Sequence, residues 1–218
     1  MNRGWLRGGA RLGQRGQALV EIAYVVPVFL FILLAILEFG FMFNHHLTLE
    51  YATREGARAG AAMADGTVKD ANCGAGPLTG AKVDPLIIAA VQRVLESPGS
   101  LVTLANIQQV TIYEMPNVGT TPTGAQNVWK YRPGNAANPD VPCQTPTEDL
   151  DFYEFSHGWD ASTTARSTGA TPDSIGVSIS YNYTFQTPLA GIMRFMFGTS
   201  WGTVSMTDST VMSLEPTS

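Results

Sequence analysis

Three kinds of residue in this chain have the chemistry to act: histidines, cysteines, and carboxylates set in or beside an apolar run. The histidines are His45, His46 and His157. Neighbouring residues on a helix point about 100° apart, so His45 and His46 do not readily ligate one metal. They read as polar residues at an interface. Cys73 and Cys143 sit in no C-x-x-C, and no histidine lies near either in sequence, which argues against zinc. In an oxidising compartment a disulfide between them is the simplest reading. Glu148, Asp149, Asp151 and Glu154 cluster in a polar stretch. Calcium takes such oxygens, but EF-hand spacing is missing, and a solvated acidic loop is the expectation. No G-x-S-x-G, H-E-x-x-H or P-loop occurs. The expectation is therefore a protein that is not an enzyme, with no cofactor and no metal.

The remaining carboxylates are more informative. Residues 22–43 read IAYVVPVFLFILLAILEFGFMF. A helix needs about 20 apolar residues to cross the hydrocarbon core, and this run suffices. A cleavable secretory signal has an apolar stretch of roughly 7–15 residues closed by a small-x-small site. Here the run is longer, and Ala57-Arg58-Ala59 lies well past its end, so a retained anchor is expected. Arg3, Arg7, Arg11 and Arg15 precede the run without any acid among residues 1–20. That asymmetry holds the N-terminus in the cytoplasm and sends the rest across the membrane. The net charge of -5 gives no basic surface for nucleic acid.

Three residues interrupt the apolar pattern: Glu21 where it begins, Pro27 inside it, and Glu38 near its end. Carboxylates there are costly and mark function or a partner. Glu38 is expected to reach water at the outer interface. Pro27 lacks an amide donor and its ring crowds the carbonyl of Ala23, favouring a kink.

Glu21 follows Arg15-Gly16-Gln17-Ala18-Leu19-Val20. A basic leader, a glycine, four residues, a glutamate and an apolar helix together resemble the type IV prepilin processing site. The resemblance implies a prepilin peptidase cutting between Gly16 and Gln17. It also implies that Glu21 pairs with the new N-terminal ammonium of a neighbouring subunit. Small size and backbone freedom suit Gly16 to the cut. Gln17 departs from the pattern, since major type IV pilins usually carry an aromatic there.

Past the run, residues 44–64 read NHHLTLEYATREGARAGAAMA, still composed of helix formers without proline. Ala52, Gly56, Gly60 and Ala64 recur every four residues, a smooth stripe that admits a close neighbour. That neighbour is either the protein's own sheet or another subunit. The proline-bearing anchor VEIAYVVPVFLFILLAILEFG followed by YATREGARAGA resembles the TadE-like pseudopilins of the tight-adherence (Tad) pilus system. The likeness covers roughly residues 15–60 and joins Glu21 and Pro27 to Ala52, Arg54, Glu55, Gly56, Ala57 and Arg58. The ending TVMSLEP is also similar.

Beyond this lie elements of an α+β domain. Residues 84–97 predict a helix, with Asp84 as N-cap and Pro85 at the first helical position. Residues 107–115 predict a strand, with 127–132 as its hairpin partner. Residues 175–185 alternate cleanly, and 203–214 supply the last strand. LAGIMRFMF, between those two strands, reads either as a short helix under the sheet or as an exposed patch meeting membrane or partner. Residues 133–173 read as one long surface loop.

The expected architecture is α+β and type IV pilin-like: a long N-terminal helix packed on a small antiparallel sheet, with one further helix. Residues 1–16 form the leader, 17–43 the transmembrane helix and 44–218 an extracytoplasmic domain. The function this implies is that of a minor pilin or pseudopilin in a Tad-type adhesive pilus. Its partners would be a prepilin peptidase, the Tad assembly machinery, other pilins and the membrane. The alternative is a permanently anchored envelope protein that binds a partner through its outer domain.

Overall fold

The computed structural model describes residues 11–63, 80–115, 124–133, 150–159, 173–198 and 202–214. Cys73 and Cys143, with the disulfide expected between them, lie outside these residues, as do Ala64, Glu148 and Asp149. The fold is α+β. Helix α1 runs Arg11–Ala62, α2 Gly80–Leu95 and α3 Leu189–Phe197. The strands are β1 Ile107–Met115, β2 Gln126–Tyr131, β3 Phe152–Ser156, β4 Ser174–Thr184 and β5 Thr203–Ser213. The chain divides into two compact units, Met1–Phe41 with Phe185–Gly202, and Met42–Thr184 with Thr203–Ser218.

The larger unit holds the sheet, five strands in the order β3-β2-β1-β4-β5, every neighbouring pair antiparallel. Its centre is the β1–β4 pair, with Val110 opposite Ile179 and Ile112 opposite Val177. In β4, Ile175, Val177, Ile179, Tyr181 and Tyr183 are all buried, as strict alternation requires when one face carries the core. Gly176 stands opposite Tyr113, and the tyrosine ring fills the space a side chain on Gly176 would need.

Two helical segments cover that core. The C-terminal part of α1 runs antiparallel to β4: His45 meets the rings of Tyr181 and Tyr183, Gly56 sits against Val177, and Gly60 against Ile175. α2 packs beside it, Val91 against Gly56 and Ile87 against Gly60. Thr53, further along α1, donates its hydroxyl to Asp208 of β5 at 2.5 Å and lies 3.0 Å from the Thr210 hydroxyl.

The structure departs from expectation at several places. α2 begins at Gly80, so Asp84 and Pro85 lie inside the helix rather than at its start. Asp84 is buried and accepts a hydrogen bond from Asn127 Nδ2 at 2.5 Å; its carboxylate serves a tertiary contact rather than a cap. Within the expected loop 133–173, Phe152–Ser156 form an edge strand on β2, with Phe152 fully buried. LAGIMRFMF takes the helical reading of its two, so that among the described residues two helices accompany α1 where one was expected. His45 is buried between two tyrosine rings rather than placed at an interface, whereas its neighbour His46 is exposed.

Candidate functional site

The residues singled out from the sequence fall on α1, whose two portions belong to different units. In the smaller unit, every described side chain of α1 from Gly16 to Leu33 is exposed. The helix is long and apolar enough to cross a membrane, and none of its most apolar window is buried within the protein. This separates it from the core helix of a soluble domain, which hides its apolar residues. α1 continues through Pro27.

Gly16 lies within the helix, and a side chain there would meet no atom within 4 Å. Gln17 donates from Nε2 to Glu21 Oε1 at 3.2 Å, a contact between residues one helical turn apart. Gly16, Gln17 and Glu21 therefore form a short exposed strip at the N-terminal end of the apolar segment.

Glu38 does not reach water. It is only 4% exposed, and its two carboxylate oxygens each accept a backbone amide, Gln186 N to Oε1 and Thr187 N to Oε2, both at 2.9 Å. The expectation of a solvated Glu38 is thus corrected. A buried carboxylate must be hydrogen-bonded, and charge-assisted bonds to amide donors are among the stronger ones. Those two amides precede α3, whose positive end also favours the anion. Thr187 Oγ1 accepts from Leu189 N at 3.3 Å, ordering the same turn. Gly198, at φ 97°, closes the helix by donating to Arg194 O at 3.0 Å. Phe185 N donates to Gly202 O at 3.0 Å and pins the base of the excursion.

In the larger unit, the small-residue stripe lies over the core. Ala52 is fully buried. A Cβ added at Gly56 would come within 2.6 Å of Val91 Cγ2, and one at Gly60 within 2.6 Å of Ile175 Cδ1. These glycines are filled by the chain's own α2 and β4. On the outer side of the same helix, Glu50 pairs with Arg54, and Glu55 accepts from Nη2 and Nε of Arg58 at 2.7 and 3.0 Å. The hydrogen bond from Arg58 holds the Glu55 carboxyl below its ordinary value of 4.5.

Sequence reasoning missed the polar hub at Asn127. Its Nδ2 donates to Asp84 Oδ2 and to Trp159 O at 2.7 Å, and its Oδ1 accepts the amides of Gly158 and Trp159 at 2.8 Å. All four hydrogen-bonding positions of the carboxamide are used, binding α2, β2 and the segment after β3. A lone Asn at a strand start gives no such signal. In the acidic cluster, Glu154 lies 2.6 Å from His157 Nδ1, and Asp151 N donates to Gln92 Oε1 at 2.9 Å.

The architecture so defined is an α+β protein carried on a long N-terminal helix with a membrane-length apolar segment. The family model for TadE-like proteins matches residues 16–58, which takes in Gly16, Glu21, Pro27, Glu38 and the stripe as far as Gly56. Comparison with curated proteins and with solved structures gave no match.

Proposed function

We propose that this chain is a minor pilin or pseudopilin that supports assembly of a Tad-type adhesive pilus, anchored in the cytoplasmic membrane with its α+β domain outside. The reading is structural rather than enzymatic. The observation that carries it is the TadE-like match over residues 16–58, which includes the glycine, the glutamate and the proline at the head of an apolar helix.

The mechanism is processing followed by association. A prepilin peptidase cuts between Gly16 and Gln17. Because Gly16 lies in the helix, the first turns must unwind to present the bond. A glycine eases this, since it disfavours helix by about 1 kcal/mol relative to alanine. The cut removes four arginines, each of which would cost roughly 2.5–3.5 kcal/mol at the membrane centre. It also turns Gln17 into an N-terminal ammonium. In the intact chain Glu21 is engaged by the Gln17 side chain; in the filament it pairs with the ammonium of a neighbour, which sets register more surely than it adds stability.

N-terminal sequencing of protein from cells with and without the matching peptidase tests this. The expected mature start is Gln17. Gly16→Leu should block the cut, whereas Glu21→Ala should be cut but assemble poorly. A start at Met1 in cells whose pili assemble normally would leave the permanently anchored envelope protein as the reading.

A further inference from the structure

α3 exposes an apolar face that the fold does not cover. Ile192, Phe195 and Met196 stand at i, i+3 and i+4 and share one side of the helix, and Phe195 is 92% exposed. Leu189, Ala190 and Met193 are the more covered residues. Arg194 is the helix's one charged residue, and α3 has no acid. The guanidinium of Arg194 lies against Gly202, where an added Cβ would fall 2.8 Å from its Nε and Nη2.

Two features of this same unit indicate what meets that face. The first is Glu38. It belongs to the apolar run, about 24 Å of helix beyond Ile22, in a stretch long enough to span a hydrocarbon core of about 30 Å. By accepting the amides of Gln186 and Thr187, it fixes the start of α3 at the depth of a residue inside the run. The second is the exposed apolar surface around it: Ile36, Leu37 and Phe39 of α1 face outward like Phe195. The α3 face therefore continues a surface whose solvent is hydrocarbon. A face of three exposed apolar side chains suits the acyl chains at the bilayer boundary. It offers few directional groups to set a protein docking register.

We propose that α3 lies in the outer boundary of the bilayer as a second membrane contact, with Phe195, Met196 and Ile192 among acyl chains, and that Glu38 holds it there. The inference rests on membrane anchorage and not on leader cleavage. Its test therefore uses the uncut full-length chain without peptidase, and leader processing has no bearing on the result.

The chain is reconstituted in vesicles of phosphatidylethanolamine and phosphatidylglycerol with benzoylphenylalanine at Phe195. The same probe at Phe29 marks lipid exposure on α1, and at Tyr51, beyond the apolar run in sequence, marks the aqueous baseline. After illumination, mass spectrometry should find lipid adducts at Phe195 in a yield comparable to Phe29, with adducts lost at Tyr51. A Phe195 yield no higher than that of Tyr51 would overturn the membrane contact. So would capture of a second copy of the chain in place of lipid, which would make the face a subunit contact. In the Glu38→Gln background one amide loses its acceptor. The Phe195 yield should then fall severalfold while the Phe29 yield stays unchanged; an unchanged Phe195 yield would overturn the role given to Glu38.

Discussion

In the smaller unit hydrophobic side chains face outward and a carboxylate is buried; in the larger one the apolar side chains are inside and the charged pairs outside. Phe29, Leu30 and Ile32 are exposed on the same helix that buries Leu49, Ala52 and Ala57 further along. The helical backbone is common to both portions, so the difference lies in what each face is built to meet. Where water is excluded from the outside, apolar residues need no partner, and polar groups must find theirs within the chain. Glu38 does so with two amides.

The sharpest way to test the contrast is to truncate one apolar residue on each side. Ile179→Ala, in the centre of the sheet, should destabilise the α+β domain by about 2–5 kcal/mol. Phe29→Ala, although it removes more carbon, should leave domain unfolding unchanged. Urea denaturation of the detergent-solubilised chain, followed by tryptophan fluorescence, reads both. An equal loss from Phe29→Ala would mean that the apolar segment packs on the domain.

Next in size is the buried polar hub. Asn127→Leu removes one hydrogen bond each from Asp84 and from the amides of Gly158 and Trp159, and losing the partner of a buried polar group costs about 1–3 kcal/mol. Limited proteolysis should show faster cleavage near residue 159 than in the unaltered chain.

A single methyl group distinguishes the two kinds of glycine. Gly60→Ala drives a Cβ into Ile175 and Ile87, and overpacking should cost about 1–3 kcal/mol. Gly16→Ala meets open space and should favour local helix by up to about 1 kcal/mol. Circular dichroism with denaturant titration separates opposite signs at chemically identical changes.

The smallest effect lies on the surface of α1. Glu55 has its folded pKa lowered by the Arg58 hydrogen bond, so its contribution is present above about pH 4.5 and is lost as pH falls through the lowered value. Arg58 is well exposed, so the dependence should be slight and should vanish at high salt. In Glu55→Gln, the difference in stability from the unaltered chain should shrink as the pH falls below 4.5.

Much of the fold was legible in the sequence where period and burial agree. The alternation from Ile175 to Tyr183 marks β4 because one face is fully buried, and the 107–115 and 127–132 pairing reappears as the β1–β2 hairpin. β3 was hidden because Phe152–Ser156 is short, flanked by acids and half-exposed. The start of α2 was misread because Asp84-Pro85 has the local chemistry of a helix start, while the tertiary bond to Asn127 decides what Asp84 does. Glu38 was misplaced because its partners are backbone amides far along the chain, which leave no residue-type signal. One cue was available. Glu38, His45, Leu49 and Ala52 follow one another at helical spacing, and all four are buried, so extending the buried face of α1 backward would have put the carboxylate on it.

The β1–β4 pairing carries a consequence for the order of events during synthesis. β1 and β4 form the middle of the sheet, yet about 60 residues separate them, and closing so long a loop is entropically slow. Until β4 has emerged, β1 has only the hairpin with β2 on one side, and its other edge, with Val110 and Ile112, stays unpaired. A ribosome that stalls before Ser174 therefore leaves an open-edged ribbon already tied to the apolar helix, a species suited to chaperone capture or degradation. Completion of the sheet waits for β4, which joins β1 to β5.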